Sequence, residues 1–152
     1  MRIRDHLTAG RVVLLESEGK AQALDRLVRL LADATPGVER GELARAVMRR
    51  ESLMSTGIGQ GLAVPHVRMA GFREVTMAVG VSRKGIVDYE SLDGEPVRII
   101  LLIGAPAGQH EAYIRLLALV TETLKDAKLR EAILASRTPE GIYSLLTREE
   151  TP

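Results

Sequence analysis

The first third of the chain carries apolar residues at intervals of three and four, the spacing of an amphipathic helix. One such stretch follows Ser17, the expected helix N-cap, and ends at a Thr-Pro-Gly turn. A second helix is predicted from about residue 39 to residue 51, with most of its charged residues on the opposite face. Arg50 falls on the same face as Leu43 and Val47, so we expect it to point inward at the C-terminal end of this helix.

The middle of the chain changes to a period of two, which is typical of a strand with two different faces. Apolar residues alternate with small or polar ones from Val75 to Val81, and a turn at residues 83–85 is expected to lead into a separate short segment at 86–88. Residues 97–103 are mostly apolar without alternation. That pattern predicts a central strand that is covered on both faces.

Helical spacing returns in the last third of the chain. A long helix is predicted from residue 109 to about 126, with His110 on the inward side of its first turn. Two short helices follow at 128–136 and 138–146, the second beginning with a Thr-Pro N-cap. The order of these elements predicts one α/β domain over residues 1–152, a single mixed β-sheet flanked by helices on both faces in a three-layer α/β/α sandwich.

Composition narrows the classes of function. The 21 Lys and Arg residues balance 20 Asp and Glu, so the net charge of +1 gives no reason to expect nucleic acid or an anionic membrane as a partner. The chain has no cysteine, which excludes disulfides and a cysteine nucleophile and favours a cytoplasmic location. No run of about 18 apolar residues is present, so neither a membrane span nor a signal sequence is expected.

The segment STGIGQGLAVPH, residues 55–66, places three alternate glycines before a short apolar run that ends at His66. Nucleotide-binding glycine motifs follow a strand and precede a helix, whereas this segment follows a helix and precedes a strand, so a nucleotide site is not expected. One interpretation is that the glycines only turn the chain and that the histidine is a partly buried structural residue. The other is that loop amides face an anion beside an exposed imidazole, which is a competent nucleophile when neutral.

This segment closely resembles the phosphorylation-site motif of the enzyme IIA domains of the fructose/mannitol class in the bacterial phosphotransferase system. That family includes stand-alone nitrogen-regulatory members, and the resemblance covers roughly residues 5–148. The chain departs from the motif at Gln60, where Asn is common, and at Val67, where a small residue is usual. Other segments that resemble this family occur in the expected order along the chain: Arg50-Glu51, residues 92–97 and His110.

The resemblance implies that His66 accepts a phosphoryl group from the phosphocarrier protein HPr or its nitrogen-branch paralogue. It also implies that His110 and Arg50 are catalytic neighbours of this histidine, and that neither a cofactor nor a metal is needed. Hydroxyls and backbone amides of the glycine segment are expected to bind the phosphoryl oxygens, with the candidates Ser55, Thr56, Gly57 and Gly59.

Other functions remain open at this point. The domain could act as a regulatory module whose binding to a cytoplasmic protein is switched by phosphorylation, instead of passing the group to a separate IIB protein. A third interpretation is a metal site formed by His66, His110 and Glu111, although no close histidine pair supports it.

The candidate site residues also have purely structural interpretations. Arg50 would then interact with the helix dipole, and His110 would cap or pack its helix. Four apolar residues near the histidine form either a docking rim or part of the sheet core: Leu62, Val64, Val67 and Met69.

Overall fold

The computed structural model describes residues 1–150, so residues 151 and 152 of the predicted domain lie outside the described residues. A six-stranded β-sheet lies between two layers of helices. The strands are β1 (Val12–Leu15), β2 (Gly57–Gly59), β3 (Leu62–Ala63), β4 (His66–Arg68), β5 (Thr76–Ile86) and β6 (Val97–Ala105). The helices are α1 (Lys20–Asp33), α2 (Arg40–Leu53), α3 (His110–Thr123), α4 (Ala127–Ala135) and α5 (Pro139–Thr147). Among residues 1–150, no helix combines the length and the apolar character needed to cross a membrane.

The last strand in the sequence, β6, lies at the centre of the sheet. It pairs antiparallel with β5 on one side, and on the other side it runs parallel to β3 and then to β4. At one edge of the sheet β1 pairs parallel with β5, and at the other edge β2 pairs antiparallel with β3. The strand order is therefore β1-β5-β6-β3-β2. In this register His66 lies opposite Ile103, which places the histidine near the C-terminal end of the central strand.

Alternate residues of the two long strands supply two separate hydrophobic cores, one on each face of the sheet. The residues that pack with α3, α4 and α5 include Met77, Val79 and Leu101. Those that pack with α1 and α2 on the opposite face include Ala78 and Leu102. Each large aliphatic side chain that is fully buried contributes about 1.5–3 kcal/mol. The predicted three-layer α/β/α sandwich and its central strand are therefore confirmed.

Strand β5 is longer than the sequence pattern predicts. The turn expected at residues 83–85 is an irregularity within the strand, because pairing with β6 shifts after Val81 and resumes at Ile86. Gly85 has a φ of +84° and lies in the irregular stretch, where a residue with a side chain would be strained. The separate segment expected at 86–88 is therefore wrong, since the same strand continues to Ile86.

The helix N-termini show one wrong prediction and one confirmed prediction. Ser17 is not the N-cap of α1, because Gly19 holds that position and its N–H donates to the side chain of Gln22 at 3.2 Å. Thr138 is the N-cap of α5, as predicted, and its hydroxyl accepts a hydrogen bond from the N–H of Gly141 at 3.0 Å. Such a cap contributes on the order of 1 kcal/mol by satisfying an N–H that the helix leaves free.

The contact between β6 and the loop after β4 generates a packing prediction. A methyl group at Gly104 would overlap the ring of Phe72, whereas a methyl group at Gly108 would meet nothing within 4 Å. Gly104→Ala is expected to lower the free energy of unfolding by about 1–3 kcal/mol, as overpacking of a core does. Urea denaturation of Gly104→Ala and of the control Gly108→Ala measures the difference, and equal losses in the two variants would contradict this packing.

Candidate active site

The side chains of one candidate site meet where the central strand ends. His66 begins β4 and Arg68 ends it, so the period of two places both on the same face of the strand. His110 is the first residue of α3, which follows β6, and Arg50 lies in the last turn of α2. These four residues and Tyr113 line one cavity. The structure therefore brings together the three residues predicted to be catalytic, which are His66, His110 and Arg50.

The imidazole of His66 is held in one orientation by the backbone that precedes it. Its Nδ1 lies 2.9 Å from the carbonyl oxygen of Val64, which can only accept a hydrogen bond. Nδ1 therefore carries the proton, and the lone pair of the neutral ring lies on Nε2. The rigid Pro65 separates the two residues, and its own carbonyl accepts a hydrogen bond from the N–H of Ile103 at 2.9 Å. The ring of Tyr113 packs against the imidazole, with the ring centroids 4.8 Å apart.

The pKa of His66 lies below its ordinary value of 6.5. Burial of the half-buried ring is the largest cause, because it disfavours the charged imidazolium. The hydrogen bond to Val64 and the charge of Glu51 oppose this shift, while the positive charges of Arg50 and Arg68 reinforce it. His66 is therefore neutral at pH 7, and its Nε2 lone pair is available as a nucleophile.

Arg50 is fixed by the end of its own helix. Its Nη1 donates to the carbonyl oxygen of Met54 at 2.9 Å, just after the last turn of α2. The side chain is half-buried and lines the cavity, so the predicted inward position is confirmed. Because a guanidinium stays charged at every accessible pH, Arg50 supplies a permanent positive charge near His66.

Arg68 and His110 form a second fixed pair in the cavity. Nη1 of Arg68 lies 2.9 Å from Nδ1 of His110. A guanidinium only donates, so Nδ1 of His110 accepts and the proton of its neutral ring lies on Nε2. His110 lines the cavity next to Tyr113, on the predicted side of α3, but it is exposed because the buried part of that face begins only at Tyr113.

The hydroxyl groups of the glycine segment have partners elsewhere in the protein. Ser55 Oγ donates to the carbonyl oxygen of Glu90 at 2.6 Å. The N–H and the Oγ1 of Thr56 donate to the carboxylate of Glu51 at 2.9 and 2.8 Å. Neither residue lines the cavity of His66. The structure therefore does not bring these two predicted phosphate-binding hydroxyls to the histidine.

The glycines of the same segment build the short hairpin of β2 and β3. Gly57 passes so close to the carbonyl of Glu90 that a side chain would collide with it. Gly59 has a φ of +97°, in the left-handed region that favours glycine. The segment thus turns the chain tightly, as one interpretation of the sequence predicted, and the cavity that contains His66 is lined by residues other than these two glycines.

The apolar surroundings of the site also differ from the sequence prediction. Leu62, Val64 and Val67 are buried, so they pack the sheet and form no docking rim. Met69 is half-buried and packs against the core. The exposed apolar residue that lines the cavity is Leu53, at the end of α2, with 79% of its surface accessible.

Sequence reasoning missed three residues of this region. Arg68 lies two residues after His66 on a short strand, so the period of two was a signal that the two side chains share a face. Tyr113 lies one helical turn after His110 and contacts His66, but its apolar helical spacing alone indicates only a core position. Glu51 stood in the motif without a role, and no local pattern could reveal its partners.

The metal-site interpretation gains no support from the geometry. Within residues 1–150, no three His, Asp or Glu side chains gather closely enough to hold a metal ion. Nδ1 of His66 and Nδ1 of His110 both have hydrogen-bond partners, and the partner of the second is the cationic Arg68. A positive charge beside a ligand opposes the binding of a metal cation.

The electrostatics of the site generate a titration prediction. We expect His66 to titrate below 6.5 in ¹H–¹⁵N spectra of the imidazole groups of the folded protein. Arg68→Gln should raise the pKa of His66, because it removes a nearby positive charge. The control Arg115→Gln removes the same charge from an exposed position of α3 and should leave that pKa unchanged. A wild-type pKa at or above 6.5, or equal shifts in both variants, would contradict this description of the site.

Comparison with known sequences places the chain in a family. Residues 5–149 match the model for "Phosphoenolpyruvate-dependent sugar phosphotransferase system, EIIA 2". The "PTS system fructose-specific EIIABC component" of Bacillus subtilis is 32% identical over 99% of this chain, but the chain spans only 24% of that protein. The "Nitrogen regulatory protein" of Pseudomonas aeruginosa is 29% identical over 96% of this chain and 95% of that protein.

Solved structures share the fold. The nitrogen regulatory protein IIA-Ntr of Neisseria meningitidis has a TM-score of 0.86 and 25% identity, covering 94% of this chain and 97% of that chain. Enzyme IIAMTL of Escherichia coli, solved in complex with phosphorylated enzyme IIBMTL, has a TM-score of 0.75 and 21% identity, covering 94% and 98%. The resemblance predicted from the glycine-histidine motif is thus confirmed, and the chain belongs to the EIIA 2 family, the phosphohistidine carrier components of the phosphoenolpyruvate-dependent sugar phosphotransferase system.

Proposed function

We propose that this protein accepts a phosphoryl group on Nε2 of His66 and passes it to another protein. The observation that carries the proposal is the hydrogen bond from Nδ1 to the carbonyl of Val64, since it leaves the lone pair on Nε2. The lowered pKa of His66 keeps that lone pair unprotonated at pH 7. Family membership supports a phosphotransferase role, and the geometry supports His66 as the residue that performs it.

The transfer replaces one nitrogen–phosphorus bond with another. The Nε2 lone pair of His66 forms a bond to phosphorus while the bond between phosphorus and the donor protein's histidine nitrogen breaks, and that nitrogen keeps the electron pair. The Nδ1 proton stays in its hydrogen bond, so the ring of His66 gains positive charge that the carbonyl dipole of Val64 stabilises. The same steps in reverse deliver the group to an acceptor. No cofactor or metal takes part.

Phosphoryl transfer requires little covalent work from the protein, so positioning and charge stabilisation account for the rate. Arg50 and Arg68 line the cavity, and their positive charges act on His66, so both can offset the charge of the phosphoryl oxygens. His110 has its proton on Nε2 because Nδ1 accepts from Arg68, so it is available as a neutral hydrogen-bond donor. We assign these three residues to binding and stabilising the phosphoryl group. Ser55, Thr56, Gly57 and Gly59 take no part in this assignment because the structure engages them in the fold.

We infer a donor of the HPr type, the phosphocarrier that the motif implies, acting in the cytoplasm. Enzyme IIAMTL forms a complex with phosphorylated enzyme IIBMTL, which supports a separate IIB protein as the acceptor for this chain. The similarity to a nitrogen regulatory protein over 95% of its length supports a second function, in which phosphorylation switches binding to a regulated protein. A phosphoryl group adds about −1.5 to −2 charge at pH 7. That change reverses the net charge of +1 and is large enough for a partner to sense.

The assignment of His66 predicts the loss of phosphorylation in one variant. His66→Ala should remove all acid-labile, alkali-stable label after incubation with phosphoenolpyruvate, its protein kinase and an HPr-type phosphocarrier. The control is His6→Ala, because His6 also holds a backbone carbonyl with Nδ1, that of Val75 at 2.8 Å, but does not line the cavity. This control should be labelled like the wild type. Label retained in folded His66→Ala, or lost in folded His6→Ala, would contradict the assignment.

The pairing of Arg68 with His110 predicts coupled effects on the rate of transfer. His110→Ala and Arg68→Gln should each slow transfer by roughly 10- to 100-fold without abolishing it, as expected when one positioning or stabilising group is lost. The double variant should lose less than the product of the two factors, because each residue acts partly through the other. Rapid-quench measurement of phosphoryl transfer tests this. Unchanged rates in the single variants would show that both residues have structural roles only.

A further inference from the structure

We propose that Glu51 is the positioning residue that sets the geometry of both His66 and Arg50. The proposal rests on the proposed function for its effect on transfer, but it stands on hydrogen bonds that are present without any phosphoryl group. Glu51 does not line the cavity, so it acts through other residues.

Glu51 is a buried carboxylate with a complete set of partners. Its side chain is only 2% exposed, and a buried charge is costly unless it is paired and hydrogen-bonded. Thr56 donates to it twice, at 2.9 Å from N–H and 2.8 Å from Oγ1, and Lys20 Nζ lies 3.1 Å away. Burial alone would raise the pKa of Glu51, but these partners outweigh burial and lower it. The carboxylate is therefore ionised and holds Thr56 firmly.

A chain of three hydrogen-bonding steps leads from this carboxylate to the nucleophile. Glu51 fixes Thr56 through its amide and its hydroxyl. The carbonyl oxygen of Thr56 accepts a hydrogen bond from the N–H of Val64 at 3.1 Å. The carbonyl oxygen of Val64 accepts the Nδ1 proton of His66 at 2.9 Å. Thr56 therefore helps to hold Val64, the residue whose carbonyl orients the imidazole.

A second, shorter connection leads to Arg50. The hydrogen bonds between Glu51 and Thr56 close the turn that follows α2, and Met54 lies within this turn. The carbonyl oxygen of Met54 accepts a hydrogen bond from Nη1 of Arg50 at 2.9 Å. The same carboxylate thus determines where the guanidinium is held relative to the imidazole.

Tyr89 and Lys20 anchor this network to the rest of the fold. The single hydroxyl proton of Thr56 goes to Glu51, so the hydroxyl of Tyr89, 2.7 Å away, must donate to Thr56 Oγ1. Lys20 Nζ lies 4.6 Å from the centre of the Tyr89 ring, in a cation–π contact. The N-terminus of α1, through Lys20, and the connection between β5 and β6, through Tyr89, therefore add contacts to the pair of Glu51 and Thr56.

The test compares three variants by the tautomer of His66 and by transfer kinetics. Glu51→Gln keeps the shape but removes the charge and one acceptor, and Thr56→Val removes only the hydroxyl. The control is Thr147→Val, because Thr147 is equally buried (5% against 4% exposed for Thr56) and its hydroxyl donates to the carbonyl of Tyr143 within α5. Imidazole ¹⁵N shifts report which nitrogen of His66 carries the proton, and rapid quench reports the first-order rate constant and the KM for the phosphocarrier.

The wild type and Thr147→Val should show the Nδ1-protonated form alone. Glu51→Gln should show a mixture of both tautomers and a first-order rate constant about 10- to 100-fold lower with an unchanged KM, because misplacement of reacting groups affects the chemical step. Thr56→Val should show the same changes to a smaller extent, and it decides the question if Glu51→Gln does not fold. A folded variant with the wild-type tautomer and rate constant would overturn the proposal. If the wild type accepts no phosphoryl group, the proposed function fails, while the tautomer comparison still tests the role of Glu51.

Discussion

The hydrogen bond between Nδ1 of His66 and the carbonyl of Val64 is the interaction on which the chemistry of this site depends. It spans only two residues, and it forms because β3 and β4 pair with the same strand, β6, on either side of Pro65. Without it the ring could present either nitrogen to a reacting group, and a neutral imidazole has a lone pair on only one of them. The arrangement of β3, Pro65 and β4 along β6 thus leaves His66 with one reactive nitrogen, Nε2.

The distribution of charge around His66 favours the binding of an anion. Arg50 and Arg68 line the cavity together with the exposed Arg49. Of the two histidines there, His66 has a lowered pKa and His110 accepts a hydrogen bond from Arg68. The carboxylate of Glu51 lies behind this surface, where Lys20 offsets its charge. A phosphoryl group would therefore meet positive charge at the surface and a rigid hydrogen-bonded base beneath it. Rigidity matters here because transfer depends on placement more than on chemical assistance.

Local patterns were sufficient for the parts of the fold that repeat along the chain. The central strand, the amphipathic helices and the motif that ends at His66 follow from spacing and residue type. Hydrogen bonds between distant residues could not be predicted from local patterns. The contact between Thr56 and Tyr89, for example, joins residues 33 positions apart. The glycine segment shows the same limit. Its composition predicted exposed donors, but only the folded chain reveals that Ser55 donates to Glu90 and that Thr56 donates to Glu51.

The most direct measurement is the position of the phosphoryl group on the ring of His66. Long-range ¹H–¹⁵N correlation on the uniformly ¹⁵N-labelled, phosphorylated protein distinguishes the two ring nitrogens. The structure predicts phosphorus on Nε2 and a proton retained on Nδ1, in its hydrogen bond to Val64. Phosphorus on Nδ1 would contradict the account, because that atom cannot bond to phosphorus while it donates its proton to the carbonyl.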